Sequence, residues 1–117
     1  MRAGAATVVR RVAAHRLDDQ LAALTWLRTQ AFVRADRVAV AGNSFGGVEA
    51  VLGAERASYC AASDSAGGAQ SWTLAPELQA AMSRAVSNSR APIFFFQAAN
   101  DYDLSPSSRA LTRLMAN

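Results

Sequence analysis

The stretch Arg37-Val38-Ala39-Val40-Ala41-Gly42-Asn43-Ser44-Phe45-Gly46-Gly47-Val48-Glu49-Ala50-Val51-Leu52 constrains the fold more than any other part of the chain. A short β-branched run enters a Gly-x-Ser-x-Gly turn, and an apolar-periodic segment leaves it. Strand, sharp turn and helix in that order predict a nucleophile elbow rather than a chance pentapeptide. Such a turn drives its central residue into a sparsely populated backbone conformation, at a cost of roughly 1–3 kcal/mol. It also presses the start of the helix against the strand, so the flanking positions must lack bulk. Gly42 and Gly46 lie two residues either side of Ser44, and Gly47 extends the small patch. Ser44 is therefore expected at the carboxyl end of the strand, above the first turn of a helix. The free N–H groups and dipole of that turn favour developing negative charge.

Two other glycine motifs fail at this place. A phosphate-binding loop needs Lys-Ser or Lys-Thr after its last glycine, but Val48-Glu49 comes after Gly47. A dinucleotide turn reads Gly-x-Gly-x-x-Gly, and position 44 is serine. The plain alternative is a tight strand-to-helix connection in which Ser44 is only a turn residue.

Composition narrows the function classes. At 117 residues the chain is one domain at most, and with 51% apolar and 18% charged residues it is globular rather than disordered. All 12 basic residues are arginine and they are scattered, without a stripe or interleaved aromatics, so nucleic acid is not an expected partner. A single cysteine, Cys60, excludes an internal disulfide and gives no metal cluster. No window reaches the length of a membrane span, and Met1 to Arg11 lacks a signal-peptide core. The expectation is a cytoplasmic protein with no cofactor, no metal and no membrane partner.

Along the chain, Leu17, Leu21, Leu24 and Leu27 recur at spacings of four, three and three, which predicts a helix over about 12–30 with Trp26 beside its apolar face. A connector, 31–36, leads to a strand at 37–41. The helix after the elbow is expected from Phe45 to Ala54 or Glu55. The short apolar run 57–62 reads as a buried strand with Cys60 as a small core residue. Residues 63–73 read as a loop at its carboxyl end, where open α/β sheets bind ligands. Trp72 in that loop is either a pocket wall or a packing residue, and Asn43 beside the serine is a second pocket candidate. Pro76 opens a helix to about Ser89 with Leu78, Met82, Ala85 and Val86 on one face. Ile93–Gln97 is a continuous apolar run of the kind found in central parallel strands. A loop carrying Asn100, Asp101 and Asp103 comes next, then a last helix over about 107–116. The order α, β, α, β, α, β, α implies right-handed crossovers and a small parallel sheet.

A serine alcohol needs a base to take its proton and a third group to orient that base. Asp101 and Asp103 lie just after the Phe-rich strand and so share an edge of the sheet with Ser44. Asp103 is expected to face solvent or to cap the last helix. The backbone N–H of Phe45, next after the serine, is the local oxyanion donor. His15 is the only histidine. It precedes the serine, at the start of the first helix, and its expected role is a surface or capping one. Nothing in the spacing carries that helix start to the elbow. A general base must come within roughly 2.6–3.2 Å of the serine oxygen, so the triad reads as incomplete.

Asp18-Asp19-Gln20-Leu21-Ala22-Ala23-Leu24-Thr25-Trp26-Leu27 and the elbow segment 37–47 resemble the α/β-hydrolase superfamily, in particular its dienelactone-hydrolase-like and prolyl-oligopeptidase-like branches. Pro92-Ile93-Phe94-Phe95-Phe96-Gln97-Ala98-Ala99-Asn100-Asp101 resembles the strand and loop that deliver that family's acid. The pattern there is an apolar strand, His or Gln, a small residue, two variable positions, Asp, and an aliphatic residue three further on. Asp101 and Leu104 fit those slots, so the resemblance implies Asp101 as the acid and Ser44 as the nucleophile. Dienelactone hydrolases proper use cysteine, so Ser44 points to an esterase- or peptidase-like relative.

The resemblance runs over about 12–117 and covers the middle-to-late part of the family's domain. The early strands, the last strand and the catalytic histidine have no counterpart. The expected architecture is thus a partial α/β-hydrolase fold: one domain over 1–117, a parallel sheet of about three strands flanked by helices. The expected activity is hydrolysis of a small carboxylic ester, with amide or short peptide as alternatives, through an acyl-serine. It should be weak or absent in the isolated chain. A non-catalytic remnant that self-associates through exposed sheet edges is the alternative from a different class. A thiol enzyme using Cys60 is a third and weak one.

Overall fold

The structure is a computed structural model that describes residues 16–107. Expectations for His15, for the first residues and for most of the last helix lie outside that range. Residues 16–28 form helix α1. Strand β1 (Val40–Asn43), helix α2 (Phe45–Arg56), strand β2 (Ala62–Ser65), helix α3 (Pro76–Asn88) and strand β3 (Ile93–Phe96) come after it, with 3₁₀ turns at Trp72–Leu74 and Ser105–Ser107.

The three strands form one parallel sheet in the order β1-β2-β3. Both crossovers step in the same direction, so the right-handed rule puts α2 and α3 on the same face. Their apolar stripes meet there. Val48, Val51 and Ala54 from α2 pack with Met82, Ala85 and Val86 from α3 over Ala62 and Ile93 of the sheet. On the solvent side Glu55 ties the helices together, accepting from Arg84 Nε at 3.3 Å and Asn88 Nδ2 at 3.0 Å. Helix α1 adds Leu17 and Leu24 to the buried set, as their spacing predicts, while Trp26 is exposed. Its Arg28 guanidinium donates to Ser58 O at 2.8 Å, and its Gln20 amide donates to the Tyr59 hydroxyl at 3.2 Å.

Strand side chains alternate between faces. Val40, Ala62, Ile93 and Phe95 belong to the helix-covered core. The opposite face presents Ala41 and Asn43 together with Phe94, 65% exposed, and Phe96, 50% exposed. The two phenyl rings lie 5.7 Å apart, tilted against each other.

Four expectations are corrected. The middle strand is Ala62–Ser65, not 57–62, and the first strand is Val40–Asn43 rather than 37–41. Residues 57–61 lead in from α2. They touch the first strand's path at two bonds, Cys60 N–H to Val38 O at 2.9 Å and Val40 N–H to Ala61 O at 3.0 Å. Cys60 is exposed, not a core residue. Finally, β3 is an outer strand of the described sheet, and its apolar run leaves two phenylalanines uncovered among the described residues.

Candidate active site

Ser44 occupies the single residue between β1 and α2. Its backbone sits at φ 57° and ψ −120°, a strained combination for a residue with a side chain. The sheet ladder holds it there: its N–H donates to Ser65 O at 2.8 Å. Its carbonyl then accepts from Gly47 N at 3.0 Å and Val48 N at 3.3 Å, which starts the helix. The hydroxyl makes no capping bond to α2 and the residue is exposed, so Oγ is available for chemistry. The Phe45 amide opens the helix directly beside it, where an oxyanion donor is required.

The glycines act unequally. A Cβ on Gly42 would run into the carbonyl of Gly46, backbone against backbone, so strand and helix approach too closely for any side chain. Gly46 itself has open space on its Cβ side; its part is to present that carbonyl. A Cβ on Gly47 would strike the Asp64 carboxylate. Asp64, on β2 in register with Gly42, is the one buried charged side chain among the described residues, at 2% exposure. Its Oδ1 accepts from Gly67 N at 2.8 Å, while its Oδ2 is buried with no partner. Burial pushes its pKa up to about 6, partly offset by the Gly67 N–H. No motif reading picks out Asp64, because a strand of Ala-Ser-Asp-Ser has neither hydrophobic alternation nor an apolar run.

Asp101 lies in the loop after β3, at the same carboxyl edge as Ser44 with β2 between them. Two inter-strand spacings, about 10 Å, separate β1 from β3. The half-buried acid is held from both sides. Gln97 Nε2 donates to its Oδ2 at 2.9 Å, and Tyr102 N donates to its Oδ1 at 2.8 Å. Gln97 also donates to Asp103 O at 2.6 Å and accepts from the Ser107 hydroxyl, so one side chain gathers the whole loop. Asp103 accepts from Ser105 N at 2.8 Å, a local bond at the start of the 3₁₀ turn; the last helix it is expected to cap lies almost wholly outside the described residues. The Ser105 hydroxyl and N–H hold its carboxyl below the ordinary aspartate range.

Trp72 is half-buried and packed against the core, with Gln79 Nε2 donating to its carbonyl at 2.6 Å; Asn43 is exposed beside Ser44. The start of α1 does come to the elbow, against expectation. The Arg16 guanidinium lies 5.3 Å from the centre of the Phe45 ring, a cation–π contact at the residue next after Ser44. Sequence spacing could not supply this, because the direction in which α1 runs across α2 is set by tertiary packing. A cleft of about 340 Å³ between Arg56, Tyr59 and Arg90 lies at the amino edge of the sheet, away from this chemistry. Among the described residues no cluster of His, Cys, Asp and Glu could hold a metal, and no helix is long and apolar enough to cross a membrane.

No curated protein and no solved structure matches the chain. The prolyl oligopeptidase family matches over residues 5–75, more than half of the chain, and this span contains α1, the elbow, β2 and Asp64. With a strained serine between a parallel strand and its helix, and a family match across that turn, the chain belongs to the prolyl oligopeptidase family, a peptidase-like family of serine hydrolases.

Proposed function

We propose that Ser44 is the nucleophile of a hydrolase that cleaves a carboxylic ester, or alternatively an amide or short peptide, through an acyl-serine intermediate. Serine as nucleophile sets the chain with esterase- and peptidase-like relatives rather than with cysteine-using dienelactone hydrolases. The observation that carries the reading is the Ser44 backbone at φ 57°, ψ −120° with its hydroxyl uncommitted to the helix it precedes. Ser44 Oγ bonds to the substrate carbonyl carbon as a base takes its proton. The carbonyl oxygen becomes an oxyanion received by the Phe45 N–H. Collapse expels the alcohol or amine, which leaves with that proton, and water then cleaves the acyl-serine by the same route. Asp101 orients the base and balances its positive charge, the part a triad acid plays.

The base is the step in which this chain is poorest. His15 is its only histidine and lies next to Arg16, which reaches Phe45. Turnover by the isolated chain is therefore expected to be weak or nil. The test is covalent labelling of the full chain by a fluorophosphonate, with the adduct located by mass spectrometry. Labelling at Ser44 that disappears in Ser44→Ala supports the reading; labelling that persists unchanged in Ser44→Ala ends it. Added imidazole should raise hydrolysis of a p-nitrophenyl ester above the Ser44→Ala background, and His15→Ala shows whether the chain's own imidazole contributes.

A second reading, association through a non-catalytic scaffold, is supported by the open sheet face with Phe94 and Phe96. Parallel sheets are ordinarily covered on both faces. Concentration-dependent oligomers in sedimentation, dispersed by Phe94→Ser and accompanied by no Ser44-dependent hydrolysis, favour it over catalysis.

A further inference from the structure

A carboxyl group taken out of water must be paired or neutral. Asp64 has one partner for two oxygens. Its carboxyl fills a slot whose walls are Gly47 and Val48, at the start of the elbow helix, and Gly67, in the turn after β2. A Cβ on Gly67 would lie 2.8 Å from Asp64 Oδ2 and 2.8 Å from the Val48 nitrogen, so turn, carboxyl and helix start meet at one point. The only hydrogen bond across the slot is Gly67 N–H to Oδ1. Nothing donates to Oδ2.

We infer that Asp64 is a positioning residue for the elbow: as a neutral acid it braces the turn at Gly67 against the first turn of α2, and as a carboxylate it loosens that brace. This inference deepens the assignment of Ser44 as nucleophile and rests on it for its effect on reactivity, but not for the brace itself. An ionised Asp64 places its charge at the N-terminus of α2, where it takes up the same positive dipole end that an oxyanion would use. That charge opposes a second negative charge at the Phe45 amide, where the oxyanion forms. The neutral form leaves one hydroxyl unpaired, a far smaller penalty.

Among the described residues no cation pairs with the carboxylate. Helix α1 brings Arg16, whose guanidinium lies on the Phe45 ring, Arg28, which donates to Ala35 O and Ser58 O, and the exposed Asp18 and Asp19. β1, β3 and the 66–71 turn contain no ionisable residue. Helix α2 brings Glu49, Glu55 and Arg56, and α3 brings Glu77 and Arg84. Glu55 and Arg84 are paired with each other on the solvent side. Glu49, whose Oε1 is also buried without a partner, is the second acid on α2 that a titration could report. The raised pKa of Asp64, with burial as its main cause, agrees with a slot that prefers the neutral form.

The experiment tracks the backbone amides of Gly47, Val48 and Gly67 by NMR hydrogen exchange from about pH 5 to about pH 8, in the full chain, in Asp64→Asn and in Glu49→Gln. After correction for intrinsic exchange, protection at these three amides should fall as pH rises through about 6 in the native chain. It should fall likewise in Glu49→Gln and stay level in Asp64→Asn. Fluorophosphonate labelling should be nearly equal for the native chain and Asp64→Asn near pH 5. Above pH 7 it should favour Asp64→Asn by on the order of tenfold, the effect of one charge in a partly screened interior. Protection that does not change with pH, or that falls equally in Asp64→Asn, overturns the brace whatever Ser44 does. Protection that behaves as expected without any labelling upholds the brace and removes the nucleophile assignment instead.

Discussion

The elbow and the acid loop occupy the same edge of the sheet, yet they are held in place by opposite means. The elbow is fixed by closeness: a strained serine, a glycine whose missing side chain admits a carbonyl, and a carboxyl wedged against two further glycines. The acid loop is fixed by reach: one amide side chain, Gln97, collects Asp101, the carbonyl of Asp103 and the Ser107 hydroxyl. Steric fixation leaves little room for adjustment, because packed backbone cannot move by fractions of an ångström without moving the helix. A polar network on a half-buried loop can exchange its bonds for water at modest cost. The Ser44 elbow should therefore be the intolerant half of the site and the Asp101 loop the forgiving half.

Gly42→Ala offers the harshest test of that contrast. The new methyl meets backbone atoms of Gly46 and Gly47 that cannot swing aside, and a loss of at least about 3 kcal/mol in denaturant unfolding is expected. A well-folded Gly42→Ala chain of native stability would mean the elbow is not held by contact. Next comes Asp64→Asn, which should stabilise. The folded chain raises the Asp64 pKa from 3.8 to about 6, so it binds the proton more tightly than the unfolded chain does. The stabilising contribution is complete below the unfolded value and is lost as pH rises through the folded one. At pH 7.5 the variant should gain up to about 3 kcal/mol, shrinking toward nothing below about pH 4. A gain independent of pH would assign it to some cause other than ionisation.

Gly47→Ala should cost about 2 kcal/mol. Its strain falls first on a side chain, so much of that cost should vanish in the Asp64→Ala background. Strict additivity in the double-mutant cycle would show that the two residues do not touch. Gln97→Ala sits at the mild end, about 1 kcal/mol or less globally. Its signature is local: faster amide exchange at Tyr102 and Ser105 with the elbow amides unchanged. Disturbance of both regions by Gln97→Ala would erase the distinction between them.

The same contrast explains which parts of the molecule are legible in its sequence. Fixation by closeness leaves a mark in the letters, because only glycine tolerates it, and the 42–47 segment by itself spells strand, turn and helix. α2, α3 and the leucine stripe of α1 emerge from periodicity, since each buries one apolar face, and β3 from its unbroken apolar run. β2 escapes because a strand between two neighbours is held by its ladder rather than by its side chains, and Ala-Ser-Asp-Ser carries no period. The apolar letters before it, 57–61, connect α2 to that strand, with Tyr59 buried and Cys60 exposed. Asp64 escapes for a related reason: acids ordinarily mark surface, and only the register with Gly42 reveals this one as buried behind the serine. The meeting of Arg16 with Phe45 depends on how α1 crosses α2, which no local pattern encodes.

The sequential order of the strands also bears on how the chain folds. Each strand pairs with the next one along the chain, across a single helix, so the contacts that build the core close short loops. Low sequence separation favours fast folding and a nucleus of adjacent elements. With β1–α2–β2 as the nucleus, the Ser44 N–H bond to Ser65 O would form as that unit closes. The strain at Ser44 is then accepted in the transition state rather than after it. Relaxing it with Ser44→Gly should speed folding more than it slows unfolding, so that a residue chosen for chemistry would be felt as a brake on assembly.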